Sequence, residues 1–336
     1  MKKLFNSRET MVDDMIDGFV AAYPQVMRGQ NDPRIVVRSR PKDNSAKVTL
    51  LIGNGSGHEP IAMGFVGAGL LHANVVGDVF AAPSADLILD GITEVHGEAG
   101  SILLVSQHSG DVINGGAATM LAEETGLRVK PLYMYDDISS APKGEEHERR
   151  GAPGTMFIYK ILGAAAEEGM ALEPLFALGE AVRDNTRTLA AAVSPGISPL
   201  NGQPMFSLPD DEIYLGMGVH GEPGIGREKY GPVAGLVETI IEALLEDRPI
   251  AAGEQAAVIV NGMGGTTLME LLTIYGCTQT ALSSRGIEAV APMVGTFVTT
   301  QEMGGFSISL LTPTAEMLRY WCAPSDSPHF PTIQMG

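Results

Sequence analysis

Two apolar runs in this chain end in nearly the same glycine–histidine turn. Val48-Thr49-Leu50-Leu51-Ile52 leads into Gly53-Asn54-Gly55-Ser56-Gly57-His58-Glu59-Pro60. Ile213-Tyr214-Leu215 leads into Gly216-Met217-Gly218-Val219-His220-Gly221-Glu222-Pro223-Gly224. Short apolar runs closed by glycines are strands that stop in tight turns. Such turns bring backbone close to a small ligand. Histidine is the side chain best suited to proton transfer or nucleophilic attack near neutral pH. The pattern therefore predicts one small-molecule site built from turns at strand ends.

The rest of the chain alternates in the same way. Further strands are predicted over 101–105, 129–134, 256–260, 287–294 and 306–311. Helices are predicted over 10–28, 87–96, 116–126, 157–169, 172–187, 233–246 and 268–275, with another starting at Ile61 behind Pro60. Strand, polar turn and helix recur, which is the pattern of an α/β protein. With 336 residues the chain fits two α/β domains, each a parallel or mixed sheet flanked by helices. Parallel strands are expected in the first half and a mixed sheet in the second. The helical pattern stops near 186–190, so the domains are expected at 1–187 and 188–336. The stretch 138–154 is charged and turn-rich and reads as a surface loop. Asp136-Asp137 before it reads as an exposed turn rather than a metal site.

Composition narrows the function. Hydrophobic residues make up 44% and charged residues 18%, enough for buried cores. A formal charge of −18 argues against nucleic acid or an anionic membrane as partner. Aromatics at 6% leave little to stack on bases. Cys277 and Cys322 lie in no CxxC or zinc pattern and read as reduced thiols. The start, Met1 to Asn6, lacks the apolar run of a signal peptide, and no stretch has the length of a membrane span. A soluble, cytoplasmic protein is expected. No GxxxxGK[ST] is present, so a P-loop kinase is excluded on motif grounds. Gly216, Gly218 and Gly221 match GxGxxG formally, but Pro223 opposes the helix that a dinucleotide site needs. An NAD-dependent oxidoreductase is thus a weak reading. No HExxH and no close ligand cluster occurs, so no metal is expected.

Of the seven histidines, His72, His96, His147 and His329 read as structural or exposed. His58 and His220 stand out by their glycine frames and the Glu-Pro that follows. His108 is ambiguous, in a strand-end turn beside Asp111. Asp111 either faces a cleft at the carboxyl edge of the sheet or caps the next helix. An Asp and a His converging on one hydroxyl would form a general-base pair.

GNGSGHEP, SGDVIN, GVHGEPGI and the run from Gly295 to Pro324 resemble the K subunit of dihydroxyacetone kinase, over nearly the whole chain and in order. The resemblance implies a two-domain subunit that forms a homodimer and binds a short ketose. It implies that His220 bonds covalently to the substrate carbonyl as a hemiaminal, while His58 and Asp111 act on the terminal hydroxyl that receives phosphate. Asn54, Gly55, Ser56, Gly57, Ser106, His108 and Gly218 are the further substrate-binding candidates. The resemblance further implies a separate L-type subunit that carries the nucleotide, with ATP as donor or bound ADP recharged by a phosphotransferase-system phosphocarrier, and Mg on that partner. No cofactor is expected on this chain, and the chain alone is expected to be inactive as a kinase. Two positions depart from the family pattern. Asn54 stands where the family has glycine. Ser106-Gln107-His108 stands where a lysine and an aromatic are usual. Both changes count against dihydroxyacetone as the preferred substrate, and the segment 234–249 and the tail look closer to branches of the family acting on four-carbon ketoses such as erythrulose. A non-catalytic ketose-sensing regulator on the same scaffold is the reading from another class; it would not need His58 and Asp111.

Overall fold

The structure is a computed structural model and describes residues 2–39 and 46–334. Contacts divide the chain into two compact units that interleave along the sequence. The first holds the described residues of Met1–Met134 together with Ile158–Ala181 and Ala323–Thr332. The second holds Tyr135–Phe157, Val182–Cys322 and the residues from Ile333 on. Among the described residues, no helix is long and apolar enough to cross a membrane.

The first unit contains α1 (Met11–Ala22), β1 (Val26–Arg28), β2 (Ile35–Arg38), β3 (Thr49–Ser56), β4 (Ala73–Val79), α2 (Ala85–Val95), β5 (Ser101–Ser106), α3 (Ser109–Glu124) and β6 (Val129–Met134). Most of α4 (Thr155–Glu167) and of α5 (Leu172–Asp184) belongs to it as well. Its sheet runs β1-β2-β4-β3-β5-β6. β4, β3, β5 and β6 are parallel, whereas β2 pairs antiparallel with both β1 and β4. The expected parallel strands form the body of this sheet, and the antiparallel edge makes it a mixed one. β4 escapes the sequence reading because Gly64, Gly67, Gly69 and Gly77 hide it; the helix expected from Ile61 reduces to one 3-10 turn, Met63–Phe65. Ser84 caps α2 by accepting from the Leu87 amide at 3.3 Å. Ile88, Ile92 and Val95 of α2 recur at helical spacing and pack with Leu51, Val75 and Leu103 of the sheet.

Strand order decides where a ligand can sit. β3 pairs with β4 on one side and β5 on the other, so the chain reverses direction across the sheet between β3 and β5. In such sheets a crevice opens beyond the carboxyl ends of the two strands that flank the reversal. Those ends carry Asn54–His58 and Ser106–Asp111.

The second unit adds β7 (Thr186–Ser194), β8 (Glu212–Leu215), β9 (Gly226–Lys229), α6 (Val233–Asp247), β10 (Gln255–Gly262), α7 (Leu268–Ser283), β11 (Glu288–Gly295), β12 (Gly304–Leu311) and α8 (Ala315–Trp321). Its sheet, β11-β10-β12-β7-β8-β9, is antiparallel except for β10 with β11. Ile240, Ile241 and Leu244 of α6 and Leu271, Ile274 and Leu282 of α7 bury one face of it against Leu189, Val258, Val260 and Ile308. β7 runs through position 187, and its first seven residues are buried. α7 starts at a capping box between Thr267 and Glu270 and continues well past 275, because Gly276 faces open space and Thr278, Ala281 and Leu282 extend the buried stripe.

Candidate functional site

At the crevice of the first unit, β3 breaks into its turn at Gly57, whose φ is +101°. A Cβ there would lie 2.6 Å from the Phe80 ring, so both the backbone and the neighbour require glycine. His58 follows, only 7% exposed. Its ring tilts against Phe80 at 5.0 Å between centroids. Phe80 has a φ of +58°, an uncommon conformation for a bulky residue, and its amide donates to the Ser56 carbonyl at 2.9 Å. Glu59 folds back so that its carboxylate accepts from the Gly57 amide, at 2.9 and 3.1 Å to its two oxygens. Burial pushes the Glu59 carboxyl up, against the pull of those amide bonds. The Asn54 oxygen accepts from Asn74 Nδ2 at 2.6 Å, and its own nitrogen donates to the Gly55 carbonyl at 2.9 Å. The amide of Asn54 is thus engaged along the strand.

Across the crevice, β5 ends at Ser106, and Gln107 donates its amide to the Met134 carbonyl at 3.2 Å. α3 begins at Ser109, seven residues before the expected start at 116, so His108 is the N-cap residue and makes no side-chain cap bond. Asp111 therefore lies inside the first turn of α3 and is not its cap. It is 8% exposed, at a helix end where unpaired amides favour negative charge. Asn114 of the same helix donates to the Pro83 carbonyl at 2.8 Å, and Gly110 packs on Ala82, which ties α3 to the loop after β4.

In the second unit, Gly216 to Ile225 form the loop between β8 and β9, an antiparallel hairpin in which Leu215 faces Gly226. A strand follows the glycines, so the helix required by a dinucleotide fingerprint is not formed. The loop turns on itself: the Gly218 amide donates to the Glu222 carbonyl at 2.9 Å and the Gly221 amide to the Gly218 carbonyl at 3.0 Å. Thr300 donates its hydroxyl to the Val219 carbonyl at 2.8 Å. His220 Nδ1 lies 2.7 Å from Glu222 Oε1, and the His220 amide donates to Glu222 Oε2 at 2.7 Å. Burial alone would push the Glu222 carboxyl up, but the His220 ring bond and charge and two backbone amides hold it well below the usual carboxylate range. The Glu222 carboxylate is therefore ionised near neutral pH. The His220 side chain remains 28% exposed.

Beneath this loop lies a second layer that the sequence reading placed at the surface. Asp136 and Asp137 are 3% and 7% exposed, which corrects the expected exposed turn. Asp136 accepts from the amides of Ala152 and Gly154, at 2.7 and 2.9 Å, and from the Thr188 hydroxyl. Asp137 accepts from Arg150 Nη2 at 2.8 Å and from the Ser139 amide at 2.9 Å. Arg149 is also fully buried, paired with Asp247. Only the middle of 138–154, including His147, is a surface loop. The charges at its ends are bound inside.

The site candidates thus fall into two constellations. His58, Asp111, Asn54, Gly55, Ser56, Gly57, Ser106 and His108 belong to the β3/β5 crevice of the first unit. His220 and Gly218 belong to the hairpin loop of the second. His72, His96 and His329 have structural partners: His72 Nδ1 accepts from the Leu50 amide at 3.1 Å, His96 meets Ser101 at 3.0 Å, and His329 meets Tyr23 at 3.1 Å. Glu59, Phe80, Glu222, Arg150 and Asp137 were not foreseen as site residues. The two glutamates carried a visible signal, the Glu-Pro after each histidine; Arg150 and Asp137 carried none.

Comparison with known proteins agrees with this architecture. The Dak1 domain family matches residues 17–329. The "PTS-dependent dihydroxyacetone kinase 1, dihydroxyacetone-binding subunit DhaK" of Listeria innocua is 40% identical over 311 residues, 93% of this chain and 94% of that protein. The "D-erythrulose kinase" of Mycolicibacterium smegmatis is 37% identical over 98% of this chain, which spans only 56% of that longer protein. Among solved structures, the dihydroxyacetone kinase of C. freundii in complex with AMP-PNP and Mg2+ superposes with a TM-score of 0.89 at 34% identity, covering 100% of this chain and 62% of that one. A dihydroxyacetone kinase operon co-activator superposes with a TM-score of 0.88 at 29% identity, covering 94% of this chain and 97% of that one. A family match across most of the chain, joined to relatives of this identity and coverage, shows that the chain belongs to the Dak1 domain family.

Proposed function

We propose that this chain is the ketose-binding subunit of a dihydroxyacetone-type kinase and that His220 holds the ketose as a hemiaminal. The observation that carries the reading is the 2.7 Å contact between His220 Nδ1 and the Glu222 carboxylate. An ionised carboxylate can only accept, so in the neutral ring, the form that can attack, the proton sits on Nδ1 and the lone pair on Nε2. Nε2 adds to the carbonyl carbon and the carbonyl π pair moves to oxygen. That oxygen takes a proton from solvent, and the Nδ1 proton leaves to solvent past Glu222, so no net proton is gained. One N–C bond forms, C=O becomes C–OH, and nothing is oxidised or reduced. A covalent anchor suits a substrate too small to offer many contacts.

In the same reading, His58 and Asp111 form the general-base pair for the terminal hydroxyl. A separate nucleotide-binding subunit brings the phosphoryl group, with ATP, or ADP recharged by a phosphotransferase-system phosphocarrier, and Mg held there. The relatives named above support this division of labour. The chain acts in the cytoplasm as a homodimer. Its ketose is dihydroxyacetone or the four-carbon erythrulose, since relatives named for each are similarly close. A second reading, a ketose-binding regulator without phosphoryl transfer, is favoured by the match to the operon co-activator along nearly its whole length.

The test uses wild type and His220→Ala with dihydroxyacetone and with each erythrulose enantiomer. Intact-protein mass spectrometry should show a gain of one whole ketose in wild type only, because hemiaminal formation expels no water. Calorimetry should show binding lost in the variant. A variant that binds as well as wild type would overturn the role of His220. Adding a nucleotide-binding subunit with ATP and Mg should then yield a ketose phosphate; capture without any transfer would favour the regulator.

A further inference from the structure

Arg150 belongs to a stretch that the sequence presents as a charged surface loop, yet its side chain is only 14% exposed. Its guanidinium bonds Asp137 through Nη2 at 2.8 Å and Nε at 3.2 Å. On its other side Nη1 stands 4.0 Å from Glu222 Oε2, the oxygen that also accepts the His220 amide. Asp137 in turn receives the Ser139 hydroxyl at 2.6 Å, and that hydroxyl lies 3.0 Å from the carbonyl of Gly216, the first residue of the loop. The first residue of the loop, through Ser139, and its Glu222 therefore both lie against the Asp137–Arg150 ion pair. Gly218 shows how close the layers are. A Cβ at that position would sit 2.3 Å from Glu222 Oε2 and 2.5 Å from Arg150 Nη1.

The backbone of Arg150 is held as firmly as its side chain. Its carbonyl accepts from the amides of Asp136 and Asp137, at 3.2 and 3.1 Å, and its amide donates to the Ser140 hydroxyl at 3.0 Å. A guanidinium fixed at both ends presents its charge to Glu222 at one place. A lysine would offer a single mobile point charge instead.

We propose that Arg150, anchored on Asp137, is a positioning residue for His220 that acts through Glu222. It balances the charge of the half-buried Glu222 and holds that carboxylate where it can receive Nδ1–H, which keeps Nε2 as the attacking nitrogen. The inference rests on the reading of His220 as the residue that captures the ketose, and it adds a residue that touches no substrate.

A double-mutant cycle tests it, with calorimetric affinity for dihydroxyacetone and erythrulose as the readout. Arg150→Met should weaken ketose binding roughly ten- to hundredfold, the scale of a misplaced catalytic group. Arg150→Lys should recover part of that loss. Glu222→Gln should also weaken binding, and the double variant Arg150→Met/Glu222→Gln should bind no worse than Glu222→Gln alone. In the kinase reaction with the nucleotide-binding subunit, the Arg150→Met loss should fall on KM for the ketose more than on kcat. Losses that multiply in the double variant would overturn the inference, because Arg150 would then act independently of Glu222. Unchanged affinity in Arg150→Met would overturn it as well. His220→Ala measured beside them separates the two levels. If that variant binds ketose normally, the functional reading itself falls; if it does not and Arg150→Met does, only the Arg150 assignment falls. Thermal denaturation of each variant shows whether a lost affinity is lost folding, and a folded Arg150→Lys decides the matter where Arg150→Met unfolds.

Discussion

On each glycine loop a glutamate folds back onto the amide two residues before it. Glu59 takes the Gly57 amide, and Glu222 takes the His220 amide. The difference is one glycine. In His58-Glu59-Pro60 the histidine lies between the bonded partners, whereas in His220-Gly221-Glu222-Pro223 it is itself the bonded residue. The second arrangement brings the carboxylate to the ring nitrogen of its own loop, and the first turns it to the backbone. Their acidities diverge accordingly: burial raises Glu59, while at Glu222 the His220 bond and charge together with the backbone amides outweigh burial. Asp136 is the third informative carboxyl. Burial pushes it up from 3.8 to about 6, opposed by the Thr188 hydroxyl and the Ala152 amide. A carboxyl whose folded pKa lies above its unfolded one favours folding when protonated. Its contribution is whole below 3.8 and is lost as pH rises through about 6. The shift corresponds to about 3 kcal/mol. Carboxyl-carbon NMR should place the Asp136 midpoint near 6, and a midpoint in the ordinary aspartate range would contradict the burial that the structure shows.

At the scale of elements, the hairpin loop between β8 and β9 has little room for change. Gly218→Ala would push the ends of Glu222 and Arg150 apart, and both are flexible enough to give way. The fold should lose only about 1–3 kcal/mol, the usual cost of overpacking. Ketose affinity should fall further than that stability loss explains, because the Glu222 carboxylate that accepts from His220 Nδ1–H is displaced. Calorimetry beside thermal melts checks this; intact affinity with a lowered melting point would mean the loop's geometry is not what binds. The same loop shows what a sequence can disclose. Its glycines, its preceding strand and the obstacle of Pro223 are local features, and they were readable. So were α2, α4, α5 and α6, whose apolar spacing is regular. β4 was not, because the glycines before it and Gly77 within it dilute its pattern. The buried Asp137–Arg150 pair was not readable either. Charged residues in a turn-rich stretch look solvated unless their partners are known, and those partners arrive from Ser139, Glu222 and the backbone of the loop.

For the whole molecule, what matters is which part of phosphoryl transfer the chain can perform. Capture needs one nucleophile and one acceptor, and in the proposed reading His220 and Glu222 of the second unit take those roles. Deprotonating a hydroxyl needs a base, and in the same proposal that role falls to His58 and Asp111 of the first unit. Holding a triphosphate needs cations and amides, and this sequence has 22 basic against 40 acidic residues and no P-loop. The three tasks should therefore separate experimentally. With ATP, Mg and ketose, the chain alone should bind the ketose and form no phosphate ester. Adding a nucleotide-binding subunit should start turnover. In that mixture His220→Ala should lose capture, whereas Asp111→Asn should keep capture by calorimetry and lose turnover by roughly a hundred- to ten-thousandfold, the contribution of a general base. Steady production of ketose phosphate by the chain alone would require a nucleotide site of its own and would overturn the division of labour. An Asp111→Asn variant that still turns over at the wild-type rate would leave the β3/β5 crevice without its assigned chemistry.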